Sequence, residues 1–439
     1  MLRQREARLL VGALFVGAAA LFTLHANLGS TDSSTVVQFM LVVTVAVLAH
    51  VAIRRFAPLA DPLLLPTGVL LNLLGLTMIH RLDIADAQRA IRQGVVVPDG
   101  SFDTQTAWSV LGLSLLVATL LIIREARVLP RYTYTSMVVG LVLLLMPLLP
   151  VVGATVNGAR LWVRFGSYSF QPGEFAKIFL AIFFAGYLVL KRNSLALIRI
   201  QRWGLGFPRA RDLGPIVVCW IVSVAILVFE RDLGMSLLFF GLFVSMLFFA
   251  TGHRTWLMLG AMLFVVSATS AFLAFDHVQT RVLIWLHPFS YADTSGYQVV
   301  QSLYGLASGG LFGSGLGAGF PGLVPFAKSD FILSALGEEL GLVGFTAILM
   351  LYALLVQRGF RMAMRSQDGF GQLLAGGLAL AIGLQTFVVA GGVTRLIPLT
   401  GLTTPLLSAG GSSLTAMWIS IALLLRISDE TNRRAEVSQ

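Results

Sequence analysis

The chain has 439 residues, of which 56% are hydrophobic and only 12% charged. A soluble domain is nearer a quarter charged, so too few charged side chains remain to cover a water-facing surface, and an ordinary soluble fold is excluded. The formal net charge of +10 would suggest nucleic acid in a soluble protein, but in a membrane chain it reads as an orientation signal, and no nucleic-acid partner is expected.

Apolar runs long enough to cross a bilayer recur along the whole chain. They predict about twelve spans, at roughly 9–27, 36–53, 59–79, 106–123, 133–152, 173–190, 214–229, 233–251, 255–275, 333–357, 371–393 and 412–427. Each must be helical, because in lipid only a helix satisfies its own backbone polar groups. The expected fold class is therefore all-α, a polytopic helical membrane protein. Arg3, Arg5 and Arg8 precede the first run as they would in a signal peptide, but the later spans favour a retained first helix. The single cysteine, Cys219, lies inside an apolar run, so no intrachain disulfide can form.

With the N-terminus inside, 21 of the 31 basic residues fall on the cytoplasmic side and 9 outside, with Lys177 in a span. This asymmetry predicts that both termini are cytoplasmic. The basic, partly apolar loop from Leu195 to Arg211 reads either as an interfacial segment on anionic lipid or as an orientation signal alone.

Three outside segments stand apart: 157–177, the long loop 276–331, and 394–413. Glycine-rich loops with fixed charges are where sites tend to sit. Glu174 and Lys177 are three residues apart and share a helix face, as an ion pair or as part of a site. Glu338 and Glu339 lie near the outer end of the tenth span. Asp330, beside Lys328, precedes that span and reads as a reactive carboxylate or as a helix cap. Arg160, Arg164, Arg281 and Arg395 run against the positive-inside bias. Arginine's planar fork suits phosphate, so an anionic ligand at the outer face is the sharper reading and loop solvation the plainer one. The run GSGLGAG at 313–319 follows no strand, so a dinucleotide site is rejected in favour of tight turns.

Four stretches carry a more specific signal: GARLWVRFGSYSFQPGEFAK, RVLIWLHPFSYADTSGYQVVQSLYGLASGGLFGSGLG, KSDFILSALGEELG and LIPLTGLTTPLLSAGGSS. In this order and spacing the chain resembles the SEDS family, which includes RodA and FtsW, and most closely the actinobacterial RodA-like branch. The resemblance covers about Pro58 to Asp429. It implies N-terminal extra helices over 1–57, a transmembrane core over 58–429 with the large loop 276–331, and a short cytoplasmic tail over 430–439.

The resemblance further implies a peptidoglycan glycosyltransferase of the bacterial cytoplasmic membrane. Such an enzyme polymerises lipid II at the outer face beside a class B penicillin-binding protein, surrounded by membrane lipid. It implies Asp330 as the essential carboxylate. Trp162, Glu174 and Lys177 match further motif positions. Arg160, Arg164, Arg281, Lys328 and Arg395 are then candidate phosphate partners, and Gln298, Gln301, Ser302, Glu338, Glu339 and Ser412 complete the candidate substrate contacts. A divalent cation, magnesium or manganese, is an expected optional cofactor at the pyrophosphate, although no dedicated ligand set is readable. The departures are Gly173 in place of the usual serine, Lys328-Ser329 in place of His-Thr, and Arg231 in place of proline. None removes a charged group of the proposed site. A lipid II flippase and a non-catalytic scaffold are the rival readings.

Overall fold

The structure, a computed structural model, describes residues 2–29, 33–150, 152–156, 159–165, 168–196, 200–202, 205–207 and 210–437. Among these residues eleven helices are long and apolar enough to cross a membrane, and a shorter apolar helix covers Gly214–Phe229. Each of the twelve expected spans lies on a helix. The chain divides into two compact units.

The first unit comprises Met1–Arg124, Thr280–Arg358 and Gln385–Leu425. It holds α1 (Leu2–Leu28), α2 (Ser33–Phe56), α3 (Leu64–Gln93) and α4 (Ser101–Ile122). Here α1 packs on α3, and α4 packs on α2 and α3. The third span starts later than the apolar run, because Asp61 and Pro62 form a turn in which the Asp61 carboxylate accepts from the Leu63 N–H at 2.9 Å. It also runs on to Gln93, since residues 80–93 are good helix formers that are too polar for lipid.

The long loop 276–331 is largely helical, with α10 (Asp276–Leu286) and α11 (Tyr297–Gly309). It leads into α12 (Ile332–Arg365), which breaks at Gly341, where φ is 68°. Only glycine adopts that conformation cheaply.

A break strands backbone groups that lipid cannot satisfy. The glycine loop 310–315 supplies the missing partners. Ser314 and Gly315 donate to the Glu338 and Glu339 carbonyls at 3.0 Å each, while Leu342 and Val343 donate to the Gly310 and Leu311 carbonyls at 2.9 and 3.1 Å. The backbones approach so closely that a Cβ at Gly341 would meet the Gly313 nitrogen at 2.2 Å. The GSGLGAG run is thus a packing device.

The second unit comprises Glu125–Gln279, Gly359–Leu384 and Arg426–Gln439. It holds α5 (Thr133–Leu145), α6 (Pro172–Ala196), α7 (Ala210–Phe229), α8 (Leu233–Thr251) and α9 (Thr255–Ala274). Helices α5 and α6 pack closely because Gly186 leaves no Cβ, which would lie 2.1 Å from Thr133 Oγ1. By contrast α9 is exposed along nearly its whole length.

A small antiparallel sheet, β1 (Gly153–Val156), β2 (Ala159–Phe165) and β3 (Tyr168–Phe170), interrupts the helices, with Val163 opposite both Gly153 and Phe170. Of the basic loop, 200–202 and 205–207 pair as two short strands, while Arg199, Trp203 and Arg209 lie outside the described residues. The last two helices are α13 (Gly369–Val393) and α14 (Gly411–Val437). Helix α14 continues through most of the expected tail, supported by the i,i+4 pair of Arg433 with Asp429 at 2.8 Å.

Candidate functional site

The candidate residues divide between the two units. In the first, Asp330 sits half-buried in the turn before α12. The segment 399–401 closes on it. Arg281, on α10, donates to the carbonyls of Leu399 and Thr400 at 3.3 and 2.9 Å. Gly401, at φ 79°, lies so near that a Cβ there would be 3.7 Å from Asp330 Oδ2 and 3.9 Å from Arg281 Nη2. Burial pushes the Asp330 carboxyl up to about 6, against the lowering effects of the Ser329 hydroxyl and the Arg281 charge. A carboxylate poised near neutrality beside a fixed cation can take up a proton and release it again.

Around this centre several expected contacts have internal partners. Lys328 lies 2.6 Å from Asp83 and 2.6 Å from Asp86. Glu339 is held by Arg81 at 2.9 Å and by the Gly317 N–H at 3.0 Å, while Glu338 accepts from the Phe320 N–H at 2.7 Å. Arg395 donates to the carbonyls of Trp285 and Leu286 at 2.8 Å each, and the Trp285 indole returns a bond to the Arg395 carbonyl at 3.1 Å. Its side chain borders a cavity of about 540 Å³ shared with Phe289, Leu303 and Thr394. Ser302 is buried against Ser334 at 2.5 Å. Ser412 is buried in the first turn of α14. Gln298 and Gln301 are half-buried on α11, and neither side chain hydrogen-bonds among the described residues.

In the second unit, strand alternation puts Arg160, Trp162 and Arg164 on one face of β2, since side chains two apart share a face. Both arginines are exposed and Trp162 is half-buried. The Arg160 N–H donates to the Glu230 carbonyl at 3.3 Å, tying the strand to the turn between α7 and α8. A cavity of about 440 Å³ is lined there by Leu148, Thr155, Arg160, Phe229 and Arg231. In that turn Arg231 has φ 62°, Asp232 caps α8 by accepting from the Met235 N–H at 2.9 Å, and Glu230 is buried. Burial and then the Asp232 charge push the Glu230 carboxyl up to about 9. Glu174 and Lys177, one turn apart at the start of α6, form a buried ion pair at 2.5 Å.

Sequence reasoning missed Asp83, Asp86 and Gly401. The signal for the first two was present: two acids three apart, in a chain with only 21, just beyond the third apolar run. Among the described residues no three His, Cys, Asp or Glu side chains gather, and the Asp83–Asp86 pair shares the Lys328 ammonium.

The chain is similar to known proteins over most of its length. "Peptidoglycan glycosyltransferase RodA" of Mycobacterium tuberculosis is 46% identical over 433 residues, covering 98% of this chain and 91% of that protein. "Probable peptidoglycan glycosyltransferase FtsW" of Geobacter metallireducens is 33% identical over 375 residues, covering 84% of this chain and 94% of that protein. A chain from a solved peptidoglycan synthase complex that coordinates polymerization and crosslinking superposes with a TM-score of 0.61 at 27% identity, covering 92% of this chain and 98% of its own. A mutant of the Thermus thermophilus rod shape determining protein RodA gives 0.55 at 26%, covering 84% and 97%. The sequence profile of the FtsW/RodA/SpoVE cell cycle proteins matches residues 61–433, and the chain belongs to that family.

Proposed function

We infer that this chain is a peptidoglycan glycosyltransferase that polymerises lipid II into glycan strands, with Asp330 as the base. The activity class is that of its 46%-identical relatives. The observation that carries the assignment of Asp330 is its setting: a half-buried carboxyl, raised to about 6, converging with Arg281 and Gly401 in a turn outside the spans.

The chemistry asked of the protein is a displacement at the donor sugar's anomeric carbon. The acceptor hydroxyl oxygen forms the new bond to that carbon. The bond from the carbon to the pyrophosphate oxygen breaks, and its electron pair leaves with the pyrophosphate. Asp330 takes the hydroxyl proton, a role that typically contributes about 10²–10⁴-fold. Arginine, with its planar fork, is the natural partner of the departing phosphates.

The site faces away from the cytoplasm in this reading, which the basic asymmetry supports. Likeness to a chain of a synthase complex that couples polymerization to crosslinking supports a crosslinking partner of the class B penicillin-binding protein type. The deciding experiment supplies purified lipid II to the purified full chain and resolves the products by length. Glycan strands are the expected result. Movement of lipid II across vesicles without strand formation would replace this reading with that of a flippase.

A further inference from the structure

Lysine at position 328 looks at first like a phosphate ligand, a cation two residues before the proposed base. Its surroundings point elsewhere. Asp83 and Asp86 are three apart on α3 and so project from one face. An oxygen of each lies 2.6 Å from the Lys328 ammonium. Burial pushes that ammonium down, but hydrogen bonds and charge from the two carboxylates outweigh it and hold it above the ordinary lysine value. Two carboxylates on one ammonium leave a local charge of −1, which repels a diphosphate.

The same residues are tied into the frame. Asp83 also accepts from the N–H groups of Ser101 and Phe102 at 3.0 and 2.7 Å, which locks it to the first turn of α4. On the other side the Lys328 carbonyl accepts from the Ala409 N–H at 2.7 Å, and the Ser329 carbonyl accepts from Ser408 Oγ at 2.5 Å. Phe326, at φ 56°, starts the turn in a conformation that is costly for a bulky side chain. The turn that ends in Asp330 is therefore gripped through the Lys328 side chain by α3 and through its backbone by the 408–409 segment.

We propose that Lys328 is a positioning residue: clamped by Asp83 and Asp86, it fixes the turn that presents Asp330 and does not bind the donor's phosphates. The inference rests on Asp330 being the base. Removing a carboxylate separates the two roles. If Lys328 positions, Asp86→Asn loosens the turn. Polymerisation by the full chain should then lose kcat by on the order of 10-fold, while KM for lipid II stays within about twofold. Lys328→Met should do the same, and Lys328→Arg, whose fork can reach both carboxylates, should restore most of kcat.

If Lys328 binds phosphate, Asp86→Asn frees it, so kcat holds and KM falls, and Lys328→Met raises KM. Either of those results, or wild-type constants for Asp86→Asn, overturns the proposal. Asp86 makes no bond to α4 among the described residues, so Asp86→Asn decides the matter even if Lys328→Met fails to fold, as judged by thermal unfolding in detergent. Asp330→Asn run alongside separates the two readings. If it still polymerises, the base assignment falls and the positioning role with it. If it is inactive while Asp86→Asn is normal, only the positioning role falls.

Discussion

Asp330 and Glu338 lie eight positions apart, yet the two carboxylate neighbourhoods are built on opposite terms. At the break in α12, Glu339 is held between the Gly317 N–H and the Arg81 guanidinium, and Glu338 accepts from the Phe320 N–H. At the turn, Asp330 has the Ser329 hydroxyl and the charge of an arginine whose fork already serves the carbonyls of Leu399 and Thr400. The first arrangement holds a shape. The second keeps a carboxyl close to the point of losing or gaining its proton, which a structural role does not need.

The comparison is most sharply broken or upheld at Asp330. Asn keeps the size and can still cap a helix, but cannot take a proton. Asp330→Asn should lower lipid II polymerisation by about 10²–10⁴-fold with an unchanged unfolding temperature. Substantial polymerisation by this variant would move the base to Glu338 or Glu339.

The converse applies to Arg81→Ala, which leaves Glu339 buried without its cation. The expected loss is about 3–5 kcal/mol of stability, read as a fall in unfolding temperature or in folded yield. A stable but inactive Arg81→Ala protein would show that this cluster does chemistry after all.

Arg160→Ala should cost about 1.5–3 kcal/mol in kcat/KM for lipid II if the arginine meets a charged oxygen there, with folding intact. Wild-type turnover would remove it from the site.

The mildest effect is on pH dependence. Polymerisation should rise through pH about 6 as Asp330 ionises. Its stability contribution has the opposite sign. The folded carboxyl holds its proton up to about 6, against an ordinary value of 3.8, so this contribution is fully present below the ordinary value and falls away as pH rises through that window. A flat activity profile between pH 5 and 7 would detach Asp330 from the rate-limiting step.

The spans were legible in sequence because hydrocarbon permits so little else: an apolar run of that length must be a helix. The four motif stretches marked Asp330 and the Glu174–Lys177 pair. Other features could not be read, because they depend on which distant segments meet. Nothing local in 310–320 reveals that it fills a break at Gly341, and the β1–β3 sheet lies in a segment whose glycines and charges read only as loop. Lys328 shows the limit most clearly: from sequence it is a cation beside a carboxylate, and only the fold brings α3 to neutralise it.

The break in α12 also makes a reporter of four amides. Those of Ser314, Gly315, Leu342 and Val343 have their acceptors across the crossing rather than one helical turn away. In hydrogen exchange they should open with the loop while the rest of the helix remains closed, since exchange follows the local cooperative unit. Their protection would therefore time the docking of the glycine loop separately from the unfolding of the span, in the intact chain and without an attached probe.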